Sequence, residues 1–379
     1  MRLRRVSPPH RPYGWVVDDS NGARLIDWEM ARSVGRRLSP SGPTVSFTEA
    51  ADVVADLRQH SVDAASLVAA VTGLHGASGA GGDGRAAPAA PAAEVIDRPA
   101  WIDLNLDSFR AIVGPLLDQL REDVPKALPG VEAVGRKVTA TELGAMLGFL
   151  SGRVLGQFEA LQSDPGRLVL VAPNVLSAER AMNVEPADFR LWVAVHEVTH
   201  RTQFESAPWL RPHLLSQIES LLGSQDMRPA ELRRRVSAAV TESFRAVREQ
   251  RAAPSLLDLA QSPAQREIID SLGATMALLE GHAEYVMNDV GTAAIPTLPA
   301  IRERFQQRRA STGTLSRLLR QLIGFEAKLK QYADGSRFVG AVVAQAGMPA
   351  LNRVWAGPSF LPTSEELHDP AAWTRRVVG

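Results

Sequence analysis

The sequence predicts a mainly α-helical protein with a small sheet, in the α+β class. Helix start signals precede several long amphipathic or apolar runs, whereas strand signals are few. Apolar residues make up 45% of the 379 residues and charged residues 22%, as in globular proteins that bury a core. A single segment rich in Gly, Ala and Pro interrupts this pattern, and it divides the chain into a short N-terminal part and a longer remainder.

The N-terminal part, residues 1–72, is predicted to be a helical packing segment. Its clearest signal is SFTE at 46–49, a capping-box pattern that precedes the amphipathic run AADVVADLRQH. Residues 73–99 follow and contain GLHGASGAGGDGRAAPAAPAAEV, which has almost no side chain to bury. We therefore expect 73–99 to be a linker or a disordered loop, and 100–379 to form the main domain.

Strands are predicted at only three places. The strongest signal is RLVLVAPNV at 167–175, an apolar run followed by a Pro-Asn turn. GWVVDD at 14–19 and GRKVTA at 135–140 give weaker signals. TATE at 139–142 overlaps the end of the last of these segments, has the capping-box pattern and predicts the start of another helix.

Composition excludes several kinds of function. Lys+Arg and Asp+Glu both number 42, so no net field favours nucleic acid or an acidic membrane. The chain has no cysteine, which excludes disulfides, thiol nucleophiles and thiolate metal ligands. Neither a secretory signal nor an apolar run of membrane-spanning length is present, so we expect a cytoplasmic protein with no membrane partner.

The motif HEVTH, at 196–200, is the first candidate for chemistry. A helix is expected from near Pro186 to a point before Pro208, and His196 and His200 then share one face at a spacing that allows them to hold one metal ion. Glu197 is rotated by about 100° around the helix axis from His196, so it can reach a water held by that ion. The alternative is an ordinary helix whose histidines bond to carbonyls or water. The apolar residues before His196 argue against it, because buried polar groups need partners.

The third ligand is expected in SLGATMALLEGHAEYVMNDVG, at 271–291, within a helix that SPAQ at 262–265 begins. Glu280 and Glu284 are four residues apart, so one can ligate the metal while the other accepts a hydrogen bond from a ligand histidine. Such pairs are otherwise usually solvated. His282 and Tyr285 are candidates for substrate contact or oxyanion stabilisation, against the alternative of simple packing.

Several segments resemble known zinc proteases. EGHAEY resembles the segment of M1-class gluzincin aminopeptidases whose Glu is the third zinc ligand, which falls on Glu280. The Glu280–Glu284 spacing resembles the Glu-x-x-x-Asp pattern of thermolysin-like gluzincins, although this chain has Glu in place of Asp. From LIDWEMARSVGRRL (25–38) to the C-terminus, the chain resembles an actinobacterial family of zinc-dependent metalloproteases, part of which is associated with coenzyme F420 biosynthesis. The resemblance implies a zincin-like catalytic domain.

Together these observations predict a zinc-dependent hydrolase, foremost a peptidase. Zn²⁺ is the expected cofactor, held by His196, His200 and Glu280, with Glu197 as the general base and Glu284 in support. The expected partner is a peptide or a small amide, and the oligomeric state is left open. One alternative is a catalytically weak scaffold in which zinc only ties two helices together, and the other is an amidase that acts on a small metabolite.

Overall fold

The structure, a computed structural model, describes residues 26–74, 91–123, 129–222, 263–310 and 325–379. These residues form fourteen α-helices and one three-stranded sheet, so the predicted mainly helical class is confirmed. None of the described helices combines the length and apolarity that a membrane crossing requires. The helices are α1 (Trp28–Leu38), α2 (Phe47–Thr72), α3 (Arg98–Asp123), α4 (Pro129–Ser151), α5 (Ala172–Met182), α6 (Pro186–Ser206), α7 (Leu210–Leu222), α8 (Pro263–Asp289), α9 (Gly291–Ala294), α10 (Leu298–Ala310), α11 (Phe325–Ala346), α12 (Met348–Leu351), α13 (Ser364–His368) and α14 (Pro370–Val377), with 3-10 turns at Asn352–Ala356 and Pro358–Phe360.

The sheet has the strand order β1-β3-β2. Its central strand, β3 (Arg167–Val171), is the strand predicted from RLVLV, and its residues after Arg167 are buried. Strand β1 (Glu94–Ile96) pairs with β3 in parallel, with Val95 opposite Leu170. Strand β2 (Gly156–Glu159) pairs with β3 antiparallel. Strand β2 therefore forms one edge of this sheet.

Other strand and boundary predictions differ from the structure. The predicted strand at 135–140 is wrong, because these residues lie within α4, which also begins before the TATE pattern at 139–142. A helix of this length gains more from continuous packing than a short β-prone run gains from an isolated strand. Strand β1 lies inside the segment predicted to be a linker, since pairing with β3 orders it. The predicted strand at 14–19 lies outside the described residues.

Helix α6 is buried and held by charge as well as by apolar packing. The helix begins at Pro186 and ends at Ser206, in agreement with the predicted boundaries. It packs against α2 and α8 in the larger core cluster. Near its start, the buried guanidinium of Arg190 donates two hydrogen bonds to Glu179 of α5, at 3.0 and 2.7 Å, and a third to Asp56 of α2 at 2.7 Å. This bidentate anchor fixes the position of the helix that carries HEVTH.

Helix α8 lies between α6 and α11. Its close approach to α11 depends on glycine, because a Cβ atom on Gly335 would lie 1.9 Å from the carbonyl oxygen of Ala277. A Cβ atom on Gly281 would likewise lie 2.2 Å from the backbone of Gly335. The two backbones thus touch beside Glu280, and a side chain at either glycine would force α8 and α11 apart.

Candidate metal centre

Helix α6 presents the two histidines of HEVTH side by side. The Nε2 atoms of His196 and His200 lie 3.2 Å apart. The two rings are nearly perpendicular, at 89°, with centroids 4.8 Å apart. The rings are close because the four-residue spacing places both side chains on one face of the helix. Their Nε2 atoms therefore point toward one shared position.

Helix α8 brings a carboxylate to the same position. Glu280 Oε2 lies 3.6 Å from His196 Nε2, and Glu280 Oε1 lies 3.8 Å from His200 Nε2. The three groups offer ligand atoms that all lie within 4.8 Å of one another. Across the residues that the structure describes, no other group of three His, Asp or Glu side chains meets this condition.

The protonation pattern of the cluster fits a cation. His200 Nδ1 lies 3.0 Å from the side-chain amide oxygen Oε1 of Gln203, so Nδ1 carries the proton and Nε2 keeps its lone pair. His196 Nδ1 lies 3.2 Å from the sulfur of Met287, a weak acceptor, which favours the same arrangement. Two imidazole lone pairs and a carboxylate then face each other. A divalent ion such as zinc, for which His and carboxylate are preferred ligands, satisfies all three.

Glu197 lies beside this cluster and is 7% exposed. Burial, together with the negative charge of Glu280, raises the pKa of the Glu197 carboxyl well above its ordinary value. Its side chain lies against the backbone of β2, because a Cβ atom on Gly156 would be 2.6 Å from Glu197 Cγ. The lack of a side chain at Gly156 therefore gives the carboxylate its place.

Two cavities meet at the cluster, and both are lined by Gly156, His196, Glu197 and Glu280. The smaller, of about 240 Å³, continues along Trp192, Met287, Phe305 and the exposed Arg302. The larger, of about 470 Å³, continues along β2 and is lined by apolar side chains that include Phe109, Phe158, Leu214 and Met276. The cluster thus lies in a cleft that extends in two directions.

The structure separates the other predicted site residues. Glu284 lines the smaller cavity together with Glu280, and its support of a ligand histidine stays a prediction. His282 is fully buried, its pKa is lowered to about 3 by burial and by His200, and it lines neither cavity. A direct contact between His282 and substrate does not fit this position. Tyr285 packs against both large core clusters and also lines neither cavity, so its predicted role as an oxyanion donor gains no support.

Gln203, which contacts both His200 and His282, is absent from the residues that the sequence predicts for the site. A signal was present, because Gln203 lies three residues after His200 and so shares its helix face. Gly156 is also absent from that prediction, because its contact with Glu197 joins residues that are far apart in the chain and leaves no local pattern.

The contact between Gly156 and Glu197 leads to a first prediction. Gly156→Ala should displace the carboxylate while leaving the three ligands in place, so zinc content should be unchanged and turnover lower by about 10²-fold, the effect of a misplacement of about 1 Å. Zinc analysis and hydrolysis rates measure both. Gly340→Ala is the matched control, because a Cβ atom there meets nothing within 4 Å. Equal turnover of Gly156→Ala and wild type would contradict the prediction.

Comparisons with known proteins concern the chain as a whole. The family model described as zincin-like metallopeptidase matches residues 26–374, a range that includes all the residues of the cluster. A solved structure from Chloroflexus aurantiacus, described as a proposed hydrolase with a novel fold, superposes with a TM-score of 0.66 at 27% identity. That match covers 93% of this chain and 98% of the other chain. No curated protein matches the chain. Because the family model spans most of the sequence, the chain belongs to the zincin-like metallopeptidase family.

Proposed function

We propose that this protein is a zinc-dependent peptidase in which His196, His200 and Glu280 hold the ion and Glu197 is the general base. The observation that carries the proposal is the convergence of three metal-ligand groups beside a buried carboxylate in an open cleft. A family of metal-dependent peptidases and a proposed hydrolase of similar fold support it at a coarser level. The resemblance to actinobacterial metalloproteases adds no substrate.

In the proposed mechanism, zinc would polarise the substrate and Glu197 would transfer the proton. Zinc, when bound, supplies a Lewis acid that polarises a carbonyl oxygen and lowers the pKa of a water ligand to about 7. Glu197 removes a proton from the water as the water oxygen bonds to the peptide carbonyl carbon. The carbon–nitrogen bond then breaks, and Glu197 returns the proton to the departing amine. The position of Glu197 suits this task, because its buried carboxylate lies beside the ligands and lines both cavities.

The cleft favours a peptide over a small amide. Strand β2 is an edge strand, and its residues Gly156, Gln157, Phe158 and Glu159 line the larger cavity. The backbone groups of an edge strand can pair with an extended chain, which is how many proteins recognise peptides without regard to sequence. Cavities on both sides of the ligands also leave room for residues before and after the scissile bond. A scaffold in which zinc only joins two helices requires no such space.

Metal removal tests the proposed function. We expect the purified protein to cleave members of a mixed peptide library, and chelation followed by dialysis to abolish cleavage, because the residual protein groups alone supply no Lewis acid. Mass spectrometry of the products reports the cleaved bonds. Addition of zinc should restore the same products. Cleavage that persists after chelation, or zinc-loaded protein that leaves every peptide intact, would contradict a zinc peptidase.

A further inference from the structure

Gln203 lies behind the metal cluster, fully buried between α6 and α8. Its side chain has three polar neighbours. The oxygen Oε1 lies 3.0 Å from His200 Nδ1. The nitrogen Nε2 lies 2.9 Å from the carbonyl oxygen of Leu279 and 3.0 Å from His282 Nδ1. The amide oxygen of Gln203 and both hydrogens of its NH₂ group therefore face protein groups.

The Leu279 carbonyl determines the direction of the whole chain of hydrogen bonds. A backbone carbonyl can only accept, so the NH₂ group of Gln203 must face it. The second hydrogen of the same NH₂ group then points at His282 Nδ1, which must accept. The amide oxygen consequently faces His200 Nδ1, and an oxygen can only accept there as well. His200 therefore carries its proton on Nδ1, and its Nε2 lone pair is directed at the shared ligand position.

The opposite amide orientation is strongly disfavoured. It would place Oε1 of Gln203 against the Leu279 carbonyl oxygen and Nε2 against His200 Nδ1. The contact with the Leu279 carbonyl then fails as a hydrogen bond in a fully buried place, where water cannot replace it, and the contact with His200 survives only if His200 carries its proton on Nε2. In that orientation His282 would have to carry its own proton on Nδ1 to keep a hydrogen bond with the amide. His282, which lines neither cavity, thus helps to hold the Gln203 amide in place.

We infer that Gln203 is a positioning residue that holds His200 in its metal-binding tautomer, with the Leu279 carbonyl and His282 fixing the Gln203 amide. The inference rests on the proposed metal site. Carboxylates commonly orient ligand histidines, and Glu284 was the candidate for that part here. A carboxylate at position 203 would place an oxygen against the Leu279 carbonyl, which can only accept. A neutral amide satisfies acceptor and donor needs at once, and it adds no buried charge next to three ligands and Glu197.

The test compares variants that separate the two halves of the amide. Gln203→Met keeps the length of the side chain but cannot accept the proton of His200, so zinc affinity should fall by about 10- to 100-fold. Gln203→Glu keeps an acceptor toward His200 but loses the donor toward Leu279 and His282. We expect it to bind zinc nearly as well as wild type and to melt at a lower temperature. Thr202→Val is the matched control, because Thr202 is buried on the same helix and its hydroxyl bonds only to the Val198 carbonyl.

Zinc affinity is measured by competition with a chelating dye, and the tautomer is measured without metal. In zinc-free protein labelled with ¹⁵N-histidine, His200 should show the Nδ1-protonated tautomer in wild type and in Gln203→Glu. It should lose that preference in Gln203→Met. The His200 signal is identified by its absence from His200→Ala. A purely structural role for Gln203 would change the melting temperature and leave this tautomer unchanged.

The outcomes for the site and for Gln203 can be told apart. If wild type fails to bind zinc, the proposed metal centre is wrong and the inference falls with it. If wild type binds zinc while Gln203→Met binds it equally well and keeps the His200 tautomer, only the positioning role is overturned. Reduced affinity and a changed tautomer in Gln203→Met, both restored in Gln203→Glu, would support the inference.

Discussion

Glu197→Gln should retain zinc and lose most of its hydrolytic activity. The amide has nearly the shape of the carboxylate, so it should fit against Gly156 and leave His196 and His200 in place. It cannot accept a proton from the attacking water or return one to the leaving amine. General acid–base catalysis by a positioned group contributes about 10²- to 10⁴-fold, and kcat should fall by that factor. Zinc content measured on the same samples should equal that of wild type.

Glu205→Gln is the matched control for Glu197→Gln. It makes the same chemical change on the same helix, but Glu205 lines neither cavity and forms an ion pair with Arg201 at 3.9 Å. Its activity should stay near that of wild type. Full turnover in Glu197→Gln would show that this carboxylate is not the base. Loss of zinc from Glu197→Gln would instead show that Glu197 has a part in holding the ion.

The sequence predicted the helices and strands whose formation depends on residues close together in the chain. The four-residue spacing of His196 and His200 is enough to place both on one face of a helix, and Pro186 and Pro208 bracket that helix in the sequence. The strand at Arg167–Val171 is apolar after Arg167, because those residues form the buried centre of the sheet. In these places the sequence pattern and the tertiary environment agree.

Features that depend on distant residues could be predicted only in part. Strand β1 forms because β3 is beside it, and GRKVTA became helix because α4 is continuous there. The close packing of α8 on α11 beside Glu280 depends on the contact of Gly281 with the α11 backbone, which no local pattern describes. The hydrogen bond between Gln203 and His200 could likewise be predicted only in part. Spacing places Gln203 on the correct face, but only the Leu279 carbonyl on another helix decides which end of its amide is presented.

Glu280→Ala should lose zinc, whereas Glu284→Ala should keep it. Glu280 supplies the only carboxylate oxygens that the structure places with both histidine Nε2 atoms in the described cluster, at 3.6 and 3.8 Å. Removal of its carboxylate leaves two neutral ligands, fewer than the three protein ligands that catalytic zinc sites use. Loss of a ligand should weaken binding by more than the roughly 10- to 100-fold effect expected for an orienting residue. Metal analysis after gel filtration would show zinc-free protein.

Glu284→Ala is the matched control, since it removes the same group one turn later on α8, where Glu284 lines the smaller cavity. If Glu284 orients a ligand histidine, its loss should weaken zinc binding only within that 10- to 100-fold range, about the effect expected for Gln203→Met. The reverse result, with zinc lost from Glu284→Ala and retained in Glu280→Ala, would overturn the ligand assignment.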